Sequence, residues 1–286
     1  MNKSKYNSIE LAWLIRRHGI EMTHLSQGSH IASVLSVADI LGVLYADVIN
    51  IYPDDPGNVN RDYFILSKGH AGAAVYAVLA ERGFFSRDIL KSHYQNGSKL
   101  SGHVSHKDVP GVDASTGSLG HGLSYAVGIA LALKKLARKN KVYVILGDGE
   151  CDEGAVWEAA LMANQYQLDN IIAIVDRNQM QSLDFTENTA KLEPFLNKWL
   201  AFNWRASEID GHDHEALHKA LKDAQEAKGP SIIIADTVKG KGVSFMELNI
   251  LWHYRFPHAG EEYSQALKEL KANKPKWLKD PYEENE

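Results

Sequence analysis

Asp148 lies between Gly147 and Gly149 at the end of the apolar run Val142 to Leu146, and Asn178 follows it by 30 residues, just past a second apolar run, Ile171 to Val175. Glycines that close a buried strand and open a helix let backbone N–H groups approach a phosphate. A dinucleotide fingerprint would place its third glycine three residues after the second. Here Gly154 comes five after Gly149, and Glu150, Asp152 and Glu153 crowd the turn with negative charge. A bare pyrophosphate would be repelled. A divalent cation reverses the electrostatics: Asp148 becomes a metal ligand, and the uncharged oxygen of Asn178 and a backbone carbonyl near Met180 join it. Two diphosphate oxygens then nearly complete the octahedral shell that a hard cation prefers. Without a cation, the same residues read as a turn carboxylate and a helix cap.

Thirteen histidines are the second chemical resource, more numerous than the methionines or the tryptophans. Neutral imidazole can donate to a phosphate oxygen or shuttle a hydroxyl proton without the desolvation cost of a buried lysine. The lone cysteine, Cys151, forms no intrachain disulfide and no cysteine metal cluster; it reads as a small turn residue and fits a reducing compartment. The 31 basic and 36 acidic residues are interspersed and leave a net charge of −5, so no basic stripe is available for nucleic acid. The start, MNKSKYNSIELAWLIRR, reads as a mature amphipathic helix because Glu10, Arg16 and Arg17 interrupt any apolar core of a signal peptide. The longest apolar run, around Ala126 to Leu133, falls well short of a membrane span, and a soluble cytoplasmic protein with no membrane partner is expected.

The elements that must position these residues follow from apolar spacing. Ile9, Leu11, Trp13, Leu14 and Ile20 predict a first helix, and Ser36 is expected to cap a second, VADILGVLYADVI. A short strand at Tyr63 to Leu66 precedes a helix that stops at Gly83. From Gly117 onward strands and helices alternate: helix His121 to Arg138, strand Val142 to Leu146, helix Ala155 to Gln167, strand Ile171 to Val175, a strand near Asn203 to Ile209, helix His214 to Ala227 and strand Ser231 to Asp236. Strands that are apolar without alternation are buried on both faces, so an α/β fold with a parallel sheet flanked by helices is expected. One domain over residues 1–258 is the economical division. Residues 259–286 turn charged and predict an exposed helix followed by a loose tail.

GDGECDEGAVWEAALMANQYQLDNIIAIVDRNQMQ resembles the thiamine-diphosphate signature, which opens with GDG and closes about 30 residues on with Asn. LSKGHA, SGHVS, STGSLGHGLSYAVGIALA, IDGHD and TVKGKGVSFME narrow the likeness. In this order they resemble the N-terminal, diphosphate-binding half of transketolase, in the form where the two halves are separate chains. The likeness runs from about Leu11 to His258.

The resemblance implies a thiamine-diphosphate-binding fold in which Asp148, Asn178 and the Met180 carbonyl hold magnesium, or calcium or manganese in its place. It places Gly147 and Gly149 beside the diphosphate, Gly117 and Leu119 along the cofactor, His70 and His253 near the diphosphate, and His30 and His103 near the substrate hydroxyls. Glu153 matches an acid that couples two cofactor sites across a dimer interface; as a helix N-terminal carboxylate it is equally well explained by the macrodipole. Leu119 reads almost as well as core.

Some residues depart from the family pattern. His30 lies in GSHIAS, His121 stands where glutamine is usual, Arg177 where Asp or Asn is usual, Phe185 where glycine is usual, and Tyr254 takes the place of a glycine after His253. These changes imply an unusual sugar. The family's ylid-forming glutamate and phosphate-clamping arginines belong to the other half, so the resemblance implies a C-terminal partner subunit, two copies of each chain, and transfer of a two-carbon ketol group from a ketose to an aldose. Three alternatives are a 2-oxo acid decarboxylase or dehydrogenase component, a partner-binding subunit without catalysis, and a dinucleotide-dependent oxidoreductase.

Overall fold

A computed structural model describes residues 4–283; residues 1–3 and 284–286, which belong to the expected opening segment and tail, lie outside the described residues. Strands β1 (Tyr63–Leu66), β2 (Val142–Gly147), β3 (Ile171–Arg177), β4 (Arg205–Asp210) and β5 (Ser231–Asp236) form one sheet in the order β1-β2-β3-β5-β4. Every neighbouring pair is parallel. The apolar runs of β2, β3 and β5 occupy the three central positions, buried on both faces as their composition demands. The more polar β4 takes an edge, where its charged side chains can reach water.

Helices cover both faces. Tyr143 and Ile145 of β2 belong to the core shared with α1 (Ser8–Ser26), α2 (Ile31–Val43), α3 (Gly72–Glu81) and α8 (His214–Gln225). Val142, Val144 and Leu146, pointing the other way, meet α4 (His121–Lys135), α5 (Gly154–Gln165) and α7 (Phe195–Ala201). The short α6 (Thr186–Thr189) follows β3, and α9 (Glu261–Ala272) is the last helix. At the front of α1, the Asn7 side chain accepts from Glu10 N–H while Glu10 accepts from Asn7 N–H, a reciprocal cap that fixes where the helix starts.

Three expectations change. The second helix begins at Ile31, after His30, and Ser36 sits in its interior, where its hydroxyl donates to Asp176 Oδ2 of β3 at 2.7 Å. A serine whose partner lies 140 residues away looks like a cap in sequence because the tertiary bond is invisible there. Second, Ile31–Val48 is an 18-residue helical stretch of mean hydropathy 1.8, longer than Ala126 to Leu133 and apolar enough to cross a membrane by length and composition alone. It is 83% buried inside the protein, as a core helix under α1, α3 and α8.

Third, the described residues of the C-terminal segment pack one face onto the core. Leu270 and Leu278 are buried in the core, and Trp13 Nε1 donates to the Leu270 carbonyl at 3.0 Å. Arg17 Nε pairs with Asp280 at 3.1 Å, with both side chains almost wholly buried. Lysines on the outer face disguise an apolar inner face. Asp280→Ala leaves Arg17 to Glu21 alone and is expected to cost about 2 kcal/mol in denaturant unfolding. A change within about 0.5 kcal/mol would mean the segment is only loosely attached.

Candidate active site

The parallel register aligns Gly147 of β2 with Asp176 of β3, and Asp176 in turn with Ala235 of β5. The loops that follow these strands therefore leave the sheet side by side at its carboxyl edge, where open α/β sheets bind ligands. A cavity of about 360 Å³ opens there. Eleven of the twelve site residues expected from sequence line it: His30, His70, His103, Gly117, Leu119, Gly147, Asp148, Gly149, Asn178, Met180 and His253. Glu153 does not. It is exposed at the start of α5, its stem packed on Gly120, at a helix N-terminus outside the cavity.

Asp148 is buried. Its Oδ1 accepts from Gly149 N–H at 2.8 Å and its Oδ2 from Gln179 N–H at 2.6 Å and the Thr186 hydroxyl at 3.2 Å. Burial, joined by the charge of Asp176, pushes its carboxyl up to about 6. The positive charge of Lys239 and the N–H donors pull it down only in part. Asn178 Oδ1 accepts from Met180 N–H at 3.2 Å, and an antiparallel bridge from Met180 to Phe185 fixes the Met180 backbone. At Gly149 the absent side chain leaves room for Gln181, whose Cγ stands 2.7 Å from where a Cβ would be, so a larger residue there would have to displace Gln181.

No cluster of three or more His, Cys, Asp or Glu side chains suited to a metal occurs among the described residues. The oxygen set here is one carboxylate, one amide and one backbone carbonyl. Such a set fits a hard cation that arrives with phosphate oxygens of its own.

Four imidazoles converge on the cavity from four loops. His30 heads α2 in the left-handed region at φ 74°, His70 sits in the 3₁₀ turn Gly69–Ala71, and His253 ends the 3₁₀ turn Ile250–His253. His103 is held by Val104 N–H donating to the Gly69 carbonyl at 2.9 Å. His30 is the hub, with ring centroids 5.1 Å from His70, 5.6 Å from His103 and 5.2 Å from His253. Burial first, and the positive charges around them second, push His30 down to about 4 and His253 to about 3; His70 falls well below its usual value, and burial lowers His103. All four are therefore neutral donor–acceptors at pH 7.

Two lysines complete the floor, and neither is among the residues expected from sequence. Lys68 Nζ pairs with Asp176 at 2.5 Å, with both side chains buried. Burial alone would raise the Asp176 carboxyl, yet Lys68 and hydroxyl donors hold it below the usual range. Lys239 is 1% exposed and donates to the Met180 carbonyl at 2.9 Å and to His253 Nδ1 at 2.9 Å, both neutral groups. Burial and the like charge of Lys68 push its ammonium down to about 8. A buried ammonium with neutral partners is a site awaiting an anion.

Both lysines stand inside recognisable motifs, LSKGHA and TVKGKG, whose glycines and histidine are the more conspicuous residues. The IDGHD motif has a use as well: His212 Nε2 accepts from Val238 N–H at 2.8 Å while its Nδ1 meets Asp39 at 2.6 Å, clamping the loop that carries Lys239. Glu150, by sequence alone a repulsive charge, is buried; it accepts from Gly147 N–H at 3.0 Å, Gly120 N–H at 2.8 Å and the Ser67 hydroxyl. It ties three loops of the site together.

The unusual positions separate into two groups. Tyr254 lines the cavity, whereas Arg177 points outward into Glu193, Glu208 and Asp236, and His121 is exposed in a neighbouring depression, bonded to the Ser118 and Leu119 carbonyls. Cys151 is buried with its thiol on the Gly147 carbonyl at 3.4 Å, as a turn residue should be.

A parallel sheet whose carboxyl edge presents hard oxygen ligands, buried ammonium groups and glycine turns defines an α/β protein that binds a diphosphate cofactor. The family described as "Transketolase, thiamine diphosphate binding domain" matches residues 8–253, and the chain belongs to it. It is 41% identical over 256 residues to an apulose-4-phosphate transketolase subunit of Phocaeicola vulgatus, covering 89% of this chain and 90% of that one. To the 6-deoxy-6-sulfo-D-fructose transketolase subunit SqwG of Clostridium sp. it is 40% identical over 254 residues, covering 88% and 92%. The solved transketolase of Campylobacter jejuni superposes with a TM-score of 0.87 at 33% identity, over 92% of this chain but 42% of that one. The chain thus spans nearly the full length of the two subunit relatives and about two fifths of the Campylobacter enzyme.

Proposed function

We propose that the chain is the diphosphate-binding subunit of a two-subunit transketolase, transferring a two-carbon ketol group from a phosphorylated ketose to an aldose. The observation that carries this is the meeting of Asp148, Asn178 and the Met180 carbonyl with the buried Lys239 ammonium and four neutral imidazoles in one cavity. Magnesium, or calcium or manganese, would be held by those three oxygens and would neutralise a diphosphate. Bound there, thiamine diphosphate supplies the carbon nucleophile of the reaction.

The chain's own residues bind and orient. Lys239 offsets diphosphate charge, and Gly149 lets backbone approach it. His253 accepts the Lys239 hydrogen bond on Nδ1, so its Nε2 is a donor. His30 and His103, neutral at pH 7, are suited to hold and pass hydroxyl protons of the sugar.

A C-terminal subunit bearing the pyrimidine pocket is the expected partner, with two copies of each chain. Exposed Tyr125 on α4, Leu161 and Met162 on α5 and Tyr166 at its C-terminal cap supply apolar surface for such an assembly. A cytoplasmic setting suits the single buried thiol, Cys151.

Calorimetric titration of the two-subunit complex tests this function. Thiamine diphosphate with magnesium is expected to bind, magnesium-free cofactor about tenfold or more weaker, and nicotinamide dinucleotide not at all. Binding of the dinucleotide in place of thiamine diphosphate would overturn it.

A further inference from the structure

Tyr254 stands at the mouth of the cavity. Its ring meets His253 at 4.6 Å and His30 at 5.4 Å between centroids, edge-on in both cases, and 63% of the residue remains exposed. An exposed aromatic on a loop would ordinarily swing freely, but this loop is braced on the side away from the cavity. Arg255 Nη2 pairs with Glu262 of α9 at 2.5 Å, and its guanidinium lies over the Trp252 ring at 5.1 Å. His258 N–H donates to Glu262 at 3.0 Å. The Pro257 carbonyl accepts from His24 of α1 at 2.8 Å, and the His24 ring stacks on Tyr263 at 3.9 Å. The family match ends at residue 253, so Arg255, Pro257, His258, Glu262 and Tyr263 of the brace lie beyond it, against His24 and Trp252 within it.

A ligand extending past His30 therefore runs against an aromatic side chain carried on a braced loop. A ketose chain short enough to end before the ring keeps its hydroxyls on the neighbouring imidazoles, whereas a longer one must run into it. Arg255, the cation nearest to this wall in sequence, is already committed to Glu262, so the wall reads carbon skeleton and not charge.

We propose that Tyr254, braced by α9, is a specificity-determining residue that limits the length of the ketose donor, favouring five-carbon over seven-carbon ketoses. This rests on the transketolase function proposed above and assigns part of its substrate selection to this chain.

The experiment uses the two-subunit complex with thiamine diphosphate and magnesium, and compares kcat/KM for a seven-carbon and a five-carbon ketose phosphate with one aldose acceptor. Tyr254→Gly is expected to raise the seven-to-five ratio by about tenfold or more, the scale on which a pocket wall discriminates. Tyr254→Phe keeps the face and is expected to leave the ratio within about twofold. Glu262→Gln touches no ligand yet loosens the brace, and is expected to shift the ratio part of the way, through KM more than kcat. Association of the two chains, followed by sedimentation, is expected to stay unchanged in all three.

An active Tyr254→Gly complex with an unaltered ratio overturns the proposal. So does an altered ratio that occurs only together with weakened association, which would make Tyr254 an interface residue. A parent complex that transfers from no ketose overturns the transketolase function itself, and this inference with it.

Discussion

Asp148→Asn is expected to weaken magnesium-dependent binding of thiamine diphosphate by at least about 100-fold while leaving the cofactor-free chain no less stable than the parent at pH 7. The first effect follows from removing the one formal charge among the three oxygens placed for the metal. The second follows from the carboxyl being pushed up to about 6 by burial and by Asp176. A group whose pKa is higher folded than unfolded takes stability away as pH rises from the ordinary carboxylate range to about 6, and the cost is then constant. Asparagine abolishes that cost, at the loss of part of the hydrogen bonding from Gly149, Gln179 and Thr186. The same carboxyl sets a pH dependence: in the parent, cofactor and metal affinity should fall progressively below about pH 6 as Asp148 takes a proton. Titration calorimetry from pH 5 to 8 and thermal melts of the apo chain measure both effects. A variant that binds cofactor and metal like the parent would show that Asp148 is only a turn residue.

The two buried lysines should respond in opposite ways. Lys68→Met strands Asp176 in the core, its carboxylate left to the Ser36 and Thr237 hydroxyls, and is expected to destabilise the chain by about 3–5 kcal/mol. Lys239→Met removes a buried ammonium whose partners are neutral, so the apo chain should hold or gain stability, while diphosphate affinity drops about 100-fold. Urea unfolding and cofactor titration of both variants separate a lysine that holds the fold from one that holds the ligand. Equal loss of stability in both would mean that Lys239 is a structural partner of Met180 and His253.

Much of this architecture is legible in sequence because parallel strands and core helices are written in local apolar pattern. The boundaries of β1 and β5 match the expected ones, and β2 and β3 extend only one or two residues further, into Gly147 and Arg177. The metal turn is legible too, since Asp148 and Asn178 owe their meeting to one strand–helix–strand step. What escapes is long-range and charged. Lysines 68 and 239 are buried beside partners from other elements: Asp176 comes from β3, and Met180 and His253 from separate loops. Ser36 mimics a cap for the same reason, and the C-terminal segment looks solvated because its partners, Trp13 and Arg17, stand at the opposite end of the chain. Motifs foretell the clustering of the histidines, but not the reason the rings stay neutral, which is their burial beside two ammonium groups.

The central claim is that this chain supplies the diphosphate half of an active site and needs a second chain to complete it. Ketol transfer measured with thiamine diphosphate, magnesium and a ketose–aldose pair, for the purified chain alone and after addition of its C-terminal partner subunit, tests that claim most directly. Transfer only in the mixture is the predicted result; transfer at ordinary enzyme rates by this chain alone would contradict it.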